Sequence, residues 1–459
     1  MTIARQVARN TAAQAFGKAA VLAVGAASIA ITTRYLGAAG YGSFALALAL
    51  VQMLGVLADF GVVTVLVREI SREPRRTEEL VGGALALRLL LGAGVVALAG
   101  LLGLVLPYSP DVRVAILIAG IPFVLGLATT SLSTIFQARL QMGRAALADV
   151  AGRLAGLAAL VVVVEADLGF EAVVATTAVG AAVTLAVTVA MVRVRPHARH
   201  WRELLVPAVP LGVALAVNEV YFRADTFILS LFRPFEEVGH YTLAYRIFEL
   251  LAVLPAIVMT SAFPLLSRYV SGQRELAARV VDATADLFVA VAAPIAAGGL
   301  VLAPELVRLV AGDAFGGAVT PVRLLLCAAG AAWVSGLLGY TLIAADRRRA
   351  VLALSLVALA VNLALNLALV PSYGADAAAA VALGSELLLL AGGWWLVRRG
   401  LGLTPRLRLL WRALVAAAAM TALLVWLREL TLALLIPAGA AVYAAVLAAL
   451  GGRRLLERP

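Results

Sequence analysis

The apolar positions of this chain run in long, unbroken blocks and do not alternate with polar ones. A helix needs about 20 predominantly apolar residues to cross the hydrocarbon core of a bilayer. Blocks of that kind cover 11–33, 43–67, 80–106, 113–136, 149–165, 171–192, 206–232, 243–266, 283–303, 320–344, 351–370, 377–397, 413–427 and 431–450. Short polar segments rich in arginine separate them. The pattern predicts fourteen transmembrane helices, of which 413–427 is short and is parted from the last only by Arg428, Glu429 and Leu430. Continuous apolar runs of this length exclude a membrane barrel, whose strands alternate. Lipid offers the backbone no partners, and helices satisfy their own polar groups. The predicted class is an all-α polytopic membrane protein.

Composition strengthens that reading. Hydrophobic residues make up 63% of the 459 and charged residues 14%, with a mean hydropathy of +1.01. Soluble domains carry about 25% charge. No long polar block is present to form an appended soluble domain. The net charge of +11 is a matter of topology, since arginine and lysine collect in cytoplasmic loops. The N-terminal segment and alternate connections hold 27 basic residues, from Arg5 to Arg458, against five on the other side: Arg34, Arg113, Arg233, Arg308 and Arg428. That split predicts a multi-pass protein of the plasma membrane with both termini in the cytoplasm. The basic start MTIARQVARN reads as the lead into a retained first helix. Cys327 is the only cysteine, so no internal disulfide is possible.

A weak internal repeat runs through the chain. AGYGSFALALALV (39–51) resembles VGHYTLAYRIFEL (238–250), and LGFEAVVATTAVG (168–180) resembles YGADAAAAVALGS (373–385). Arg144-Ala145 falls on Arg349-Ala350 in the same register. The unit spans six helices, so the two copies run parallel, a design that encloses substrate sites near the midplane. The predicted division is 1–200, 201–400 and a two-helix addition with a cytoplasmic tail at 401–459.

Charge inside the membrane is the chemical signal. Ionisable residues there cost several kcal/mol and face a cavity or each other. They are Lys18, Asp59, Arg88, Glu219, Arg223, Asp225, Arg246, Glu249, Asp286 and Glu386. Lys18 and Asp286 fall near cytoplasmic ends, where water is within reach. Glu219 and Arg223 are spaced i,i+4 and Arg246 and Glu249 i,i+3, so each pair shares a face; so do Asn218 and Asp225. Two readings stand: ion pairs that brace helices, or a hydrated mixed-charge cavity between the repeats. Tyr221 and Tyr245 are either interface anchors or faces for sugar rings.

Other chemistries lack their residues. The histidines His197, His200 and His240 form no cluster with cysteine or carboxylates, and the first two lie in a basic loop with no partner, so no metal or cofactor is expected. No GxxxxGK[ST] phosphate loop is present. RYLGAAGYG (34–42) joins two apolar blocks and reads as a tight turn. No nucleophile–base constellation is visible, and nucleic acid is not an expected partner. Outer connections are short, which leaves no room for the catalytic loop of a membrane glycan polymerase or ligase.

Three stretches carry a family resemblance: RYLGAAGYGSFALALALVQMLGVLADFGVVTVLVREISR (34–72), RADTFILSLFRPFEEVGHYTLAYRI (223–247) and LIAADRRRAVLALSLVALAVNLALNLALVPSYGADAAAAVALGSE (342–386). The last holds Asn362, Asn366, Pro371, Tyr373 and Gly374. The sequence resembles the polysaccharide and oligosaccharide flippases of the multidrug/oligosaccharidyl-lipid/polysaccharide exporter superfamily, from which it departs at His240 and Tyr241. The resemblance implies a MATE-like pair of six-helix bundles around a cationic lumen, often with two further helices. It implies alternating-access transfer of a lipid-diphosphate-linked oligosaccharide to the outer leaflet, coupled to a proton or sodium gradient or to the potential. Other polysaccharide assembly proteins would be its partners. On this reading Arg88, Arg223, Arg246, Tyr221, Tyr245, Asn218 and Asn362 bind substrate. Asp59, Glu219, Asp225, Glu249, Glu386 and Lys18 pair charges or couple ions. The rival within the superfamily is a multidrug/cation antiporter, which wants a surplus of acidic cavity residues.

Overall fold

The computed structural model describes residues 3–270, 272–403 and 405–451, with side chains described from residue 21 except those of 22, 210, 211, 214 and 218. Regular structure among them is all helical. Ten helical stretches among the described residues are long and apolar enough to cross a membrane. The chain forms two compact units, Met1–Gly239 and His240–Pro459.

The first unit holds α1 (Ile3–Asp59), α2 (Val62–Arg72), α3 (Thr77–Val105), α4 (Pro110–Ala138), α5 (Met142–Glu165), α6 (Gly169–Met191) and α7 (Trp201–Phe232). At 57 residues α1 would reach about 85 Å, well beyond a hydrocarbon core of about 30 Å. It is divided at Gly37, whose φ of 66° lies in the left-handed region. The tight turn expected over 34–42 is thus compressed into one residue. The block 43–67, expected as one helix, is interrupted where Phe60 (φ 39°) and Gly61 (φ 75°) are both left-handed. Two such residues in a row break the i→i−4 ladder, which hydropathy cannot register. Beyond the break α2 buries Val62, Val65, Leu66 and Ile70, one face of an amphipathic helix.

Glycines set the closest crossings. A Cβ on Gly42 would lie 1.9 Å from the Phe235 carbonyl oxygen. Gly152 and Gly156, a GxxxG pair on α5, bring that helix against Gly180 of α6, where a Cβ on Gly152 would meet Thr184 Oγ1 at 1.8 Å. Lipid provides no hydrophobic drive for association, so close packing across small residues takes its place.

α8 (Phe235–Leu251) crosses from the first unit into the second, which continues with α9 (Val253–Tyr269), α10 (Arg274–Ala311), α11 (Val319–Ala344), α12 (Arg348–Leu401), α13 (Leu410–Trp426) and α14 (Leu432–Ala449). The block 243–266 is likewise two helices, parted at Ala252. The 54 residues of α12 are divided at Gly374, with φ 58°. One left-handed residue recurs in the register of the sequence repeat, Gly169 answering to Gly374, and Leu140 falls one residue out of register with left-handed Asp346.

α13 and α14 dock on α10. Leu409, Ala416, Met420, Leu424 and Leu435 share a core with Ala290 and Leu302, and Tyr443 donates to the Ala290 carbonyl at 2.8 Å. Two aspartates one turn apart on α10 hold the approach to α13. Asp282 accepts from the Arg406 amide at 2.8 Å and Asp286 from the Leu409 amide at 3.0 Å. Asp286, expected near a wet helix end, is therefore buried at 5% exposure, its charge turned on the unpaired amides that open α13.

Candidate functional site

In the first unit α3 carries Arg88 into the interior, where it is 3% exposed. Its Nη1 donates to the Leu127 carbonyl at 3.0 Å, Thr130 Oγ1 at 2.9 Å and Ser131 Oγ at 2.7 Å, all on α4. Its Nη2 donates to Asp59 Oδ1 at 2.7 Å, and its buried Nε has no hydrogen-bond partner. Asp59 ends α1 beside the Phe60–Gly61 break and keeps a third of its side chain exposed. The guanidinium is sealed by protein on both sides, so the carboxylate is the accessible member of the pair.

α7 presents a second pair. Arg223 Nε lies 3.3 Å from Glu219 Oε1, with the side chains 17% and 33% exposed. Asp225, two residues on, is 3% exposed. Tyr221 meets Phe222 edge to face at 5.3 Å. The side chains of Asn218 and Lys18 lie outside those described.

The second unit repeats the theme on α8, where Arg246 Nη1 donates to Glu249 Oε2 at 2.7 Å and both side chains stay about a third exposed. Tyr245 stands between Tyr241 at 5.9 Å and Phe248 at 5.6 Å in a buried aromatic row. A separate polar cluster sits between α11 and the two halves of α12. Asn362 donates to Ser385 Oγ at 3.1 Å, and Asn366 donates to Asn362 Oδ1 at 3.1 Å. Glu386, 6% exposed, accepts from Ser335 Oγ at 3.4 Å. No group of three metal-binding side chains occurs among the described residues.

One constellation was missed in the sequence. His200, expected to have no partner, is ringed by them. Its Nε2 contacts Glu79 Oε1, and its Nδ1 lies 3.0 Å from Glu203 Oε2 and 3.2 Å from Arg76 Nη2. Arg76 grips Glu203 with two bonds of 3.1 Å and donates to Glu73 at 3.1 Å and Glu79 at 3.4 Å. Arg76, then His200, hold the Glu203 carboxyl below the usual carboxylate range. The acidic partners stand at the starts of α3 and α7, far from each other in sequence, so the linker alone looks only basic.

Comparisons with known proteins follow the same lines. A family model described as "Polysaccharide biosynthesis protein" matches residues 7–270. No curated protein matches the sequence. A solved structure of the lipid II flippase MurJ in an inward closed conformation superposes with a TM-score of 0.80 at 12% identity, covering 98% of this chain and 99% of that one. An inward-facing multidrug resistance MATE family transporter of the MOP superfamily gives a TM-score of 0.61 at 16% identity, over 82% of this chain and 93% of its own. A MOP superfamily transporter from Pyrococcus furiosus gives 0.59 at 15% identity, over 86% and 95%. At these identities the likeness is one of fold, and the fold is MATE-like.

Proposed function

We propose a function from one premise: the chain belongs to the polysaccharide biosynthesis protein family, within the multidrug/oligosaccharidyl-lipid/polysaccharide exporter superfamily. It is a multi-pass membrane protein of a flippase and transporter superfamily. The substrate we infer is a lipid-diphosphate-linked oligosaccharide, carried from the cytoplasmic to the outer leaflet of the plasma membrane, with both termini in the cytoplasm. The likeness to a lipid II flippase supports a lipid-linked substrate.

The observation that carries this reading is the pairing of arginine with carboxylate on membrane helices. Arg223 with Glu219 and Arg246 with Glu249 are only partly covered. An arginine so held is poised to exchange its carboxylate for a phosphate, which guanidinium binds bidentately. Each carboxylate keeps its own pair neutral when no substrate is bound. Arg88 has a different part. Its donors are committed to α4 and Asp59, so it braces α3 against α4 and the end of α1, and phosphate recognition falls to Arg223 and Arg246. Tyr221, Asn218 and Asn362 are candidates for the sugar. Tyr245, buried in its row, supports the helix that carries Arg246. Alternating access would rock the two six-helix repeats, 1–200 and 201–400, against each other. Asp225, Glu386, Asp59 and Lys18 are candidates for coupling to a proton or sodium ion.

The test uses purified protein in liposomes that hold a fluorescent lipid-diphosphate oligosaccharide. Transfer between leaflets is read by a membrane-impermeant quencher. R223A and R246A are each expected to slow transfer at least about tenfold, the effect of about 1.4 kcal/mol, with membrane insertion unchanged. Wild-type transfer by both variants would remove these arginines from the mechanism. Absence of transfer by the wild type, with a drug cation moved instead, would favour the antiporter.

A further inference from the structure

The export reading does not use the cluster around His200, and its composition is unbalanced. Three carboxylates, Glu73, Glu79 and Glu203, surround one guanidinium, Arg76, and one imidazole. With a neutral ring the set carries three negative charges against one positive. Proton uptake makes it three against two.

Both ring nitrogens are engaged, in different ways. Nε2 faces a carboxylate of Glu79, which only accepts, so Nε2 carries hydrogen. Nδ1 lies between a donor, Arg76 Nη2 at 3.2 Å, and an acceptor, Glu203 Oε2 at 3.0 Å. It cannot serve both. A neutral ring accepts from Arg76, and a protonated ring donates to Glu203. The geometry thus offers two hydrogen-bond states that differ by one proton.

The ring sits at a mechanical junction. Residues 193–200 form the linker between the two sequence repeats, and the linker lies flat on α3. The His197 amide donates to the Gly82 carbonyl at 3.2 Å, and a Cβ on Gly82 or Gly83 would come within 2.6 Å of the Arg195 oxygen or 2.4 Å of the Arg199 oxygen. His200 ends the linker in a left-handed conformation, φ 64°, as the residue before α7. Apart from the cluster, the ring's charged or titratable neighbour is His197, edge-on at 6.5 Å.

We propose that His200 is a proton-binding site that sets how firmly the linker is clamped to the start of α3. The protonated ring joins Glu79 to Glu203 and offsets the acidic excess, so the clamp is stronger when both ring nitrogens carry hydrogen. It loosens as pH rises and the ring loses its proton. Far below neutrality Glu203 and Glu79 take up protons and the clamp fails again. Holding the linker restrains the entry to α7, and with it the motion of one repeat against the other. That consequence, and the identity of the sensed side as cytoplasmic, rest on the export reading; the clamp itself does not.

The chain has three histidines, so ¹⁵N-histidine labelling of the full-length protein gives three imidazoles to resolve. His200→Asn assigns the ring and tolerates the left-handed backbone. Spectra are compared at about pH 8 and about pH 6, which bracket the range where histidine ordinarily changes charge, and the ring is read at each as the Nε2–H tautomer or the doubly protonated form. Hydrogen exchange of 193–203, corrected for intrinsic rates, is expected to be roughly two- to fivefold slower at the lower pH, as suits partly exposed pairs. Glu203→Gln should leave the ring titrating and abolish that difference. Equal linker protection at both pH values in the wild type overturns the proposal, as does a pH dependence that survives in Glu203→Gln. Wild type and Glu203→Gln decide the matter even if His200→Asn does not fold. No glycan enters these measurements, so a failed clamp leaves the export reading standing, and failed export leaves the clamp.

Discussion

Arg88 and Asp59 share one ion pair unequally. The guanidinium is 4% exposed and the carboxylate 34%. Breaking a buried pair costs about 3–5 kcal/mol, because the survivor is left uncompensated. The more buried survivor should suffer more, so D59N, which strands Arg88, is expected to cost about 3 kcal/mol. R88M strands a carboxylate that water can reach and should cost less, about 2 kcal/mol. The double variant should recover part of the D59N loss. Denaturation in detergent gives the order, and an R88M variant less stable than D59N would reverse the assignment of which partner is sealed. Glu203 behaves in the opposite environment. Its carboxyl is held low chiefly by Arg76 at an exposed site, so its contribution is present above the ordinary carboxylate range and lost as pH falls through the lowered value. Acidification below the ordinary carboxylate range should therefore loosen the start of α7 in the wild type and leave E203Q unaffected there, which proteolysis at 195–203 reads directly. These residues also mark how far sequence reaches. Pairs three or four apart on one helix, such as Arg246 with Glu249, follow from helical geometry alone. Asp59 with Arg88, and His200 with Glu79, join residues on different elements, and no spacing rule connects them.

Elements in this protein meet through small residues and through helix ends. α5 and α6 approach where Gly152, Gly156 and Gly180 leave no side chain between them, and the GxxxG spacing of the first two is visible in AGRLAGL. A leucine at 152 would collide with Thr184 and the Gly180 carbonyl. G152L is expected to destabilise the first unit by about 1–3 kcal/mol or to prevent its accumulation, measured by yield and melting in detergent; a wild-type melt would mean the crossing can widen freely. Helix ends are less legible. Hydropathy puts Asp286 in reach of water, because it scores the residue and not the amide it caps. Since Asp286 accepts from the Leu409 amide at the N-cap of α13, D286A should cost about 2 kcal/mol, in the range of hydrogen bonds to charged groups. It should also open the 403–409 approach to protease while leaving α1–α6 protected. The interruption at Phe60–Gly61 is invisible for the same reason: the flanking residues stay apolar, and only backbone dihedrals change.

At the scale of the molecule the strongest written signal is the distribution of arginine. Each basic residue moved across the hydrocarbon core during insertion is unfavourable, so the side assigned 27 of them is expected to be the side of synthesis. The five on the opposite side are scattered singly, one to a connection. This asymmetry predicts orientation more firmly than any one helix assignment does. On the proposed export reading it would also set the direction, since a site that opens first toward the arginine-rich face would meet substrate on that side. Reporter fusions test it connection by connection. A phosphatase fused after Arg113, Arg233 or Arg308 should be active, as that enzyme matures only outside. A fluorescent protein fused after Arg75, Arg199 or Arg349 should glow, as it folds inside. The fusion after Arg199 bears most weight, since the linker there joins the repeats and an even number of crossings must precede it. Phosphatase activity at that point would mean an odd number. The two repeats would then be inverted, and neither the parallel rocking motion nor the outward direction of export would follow.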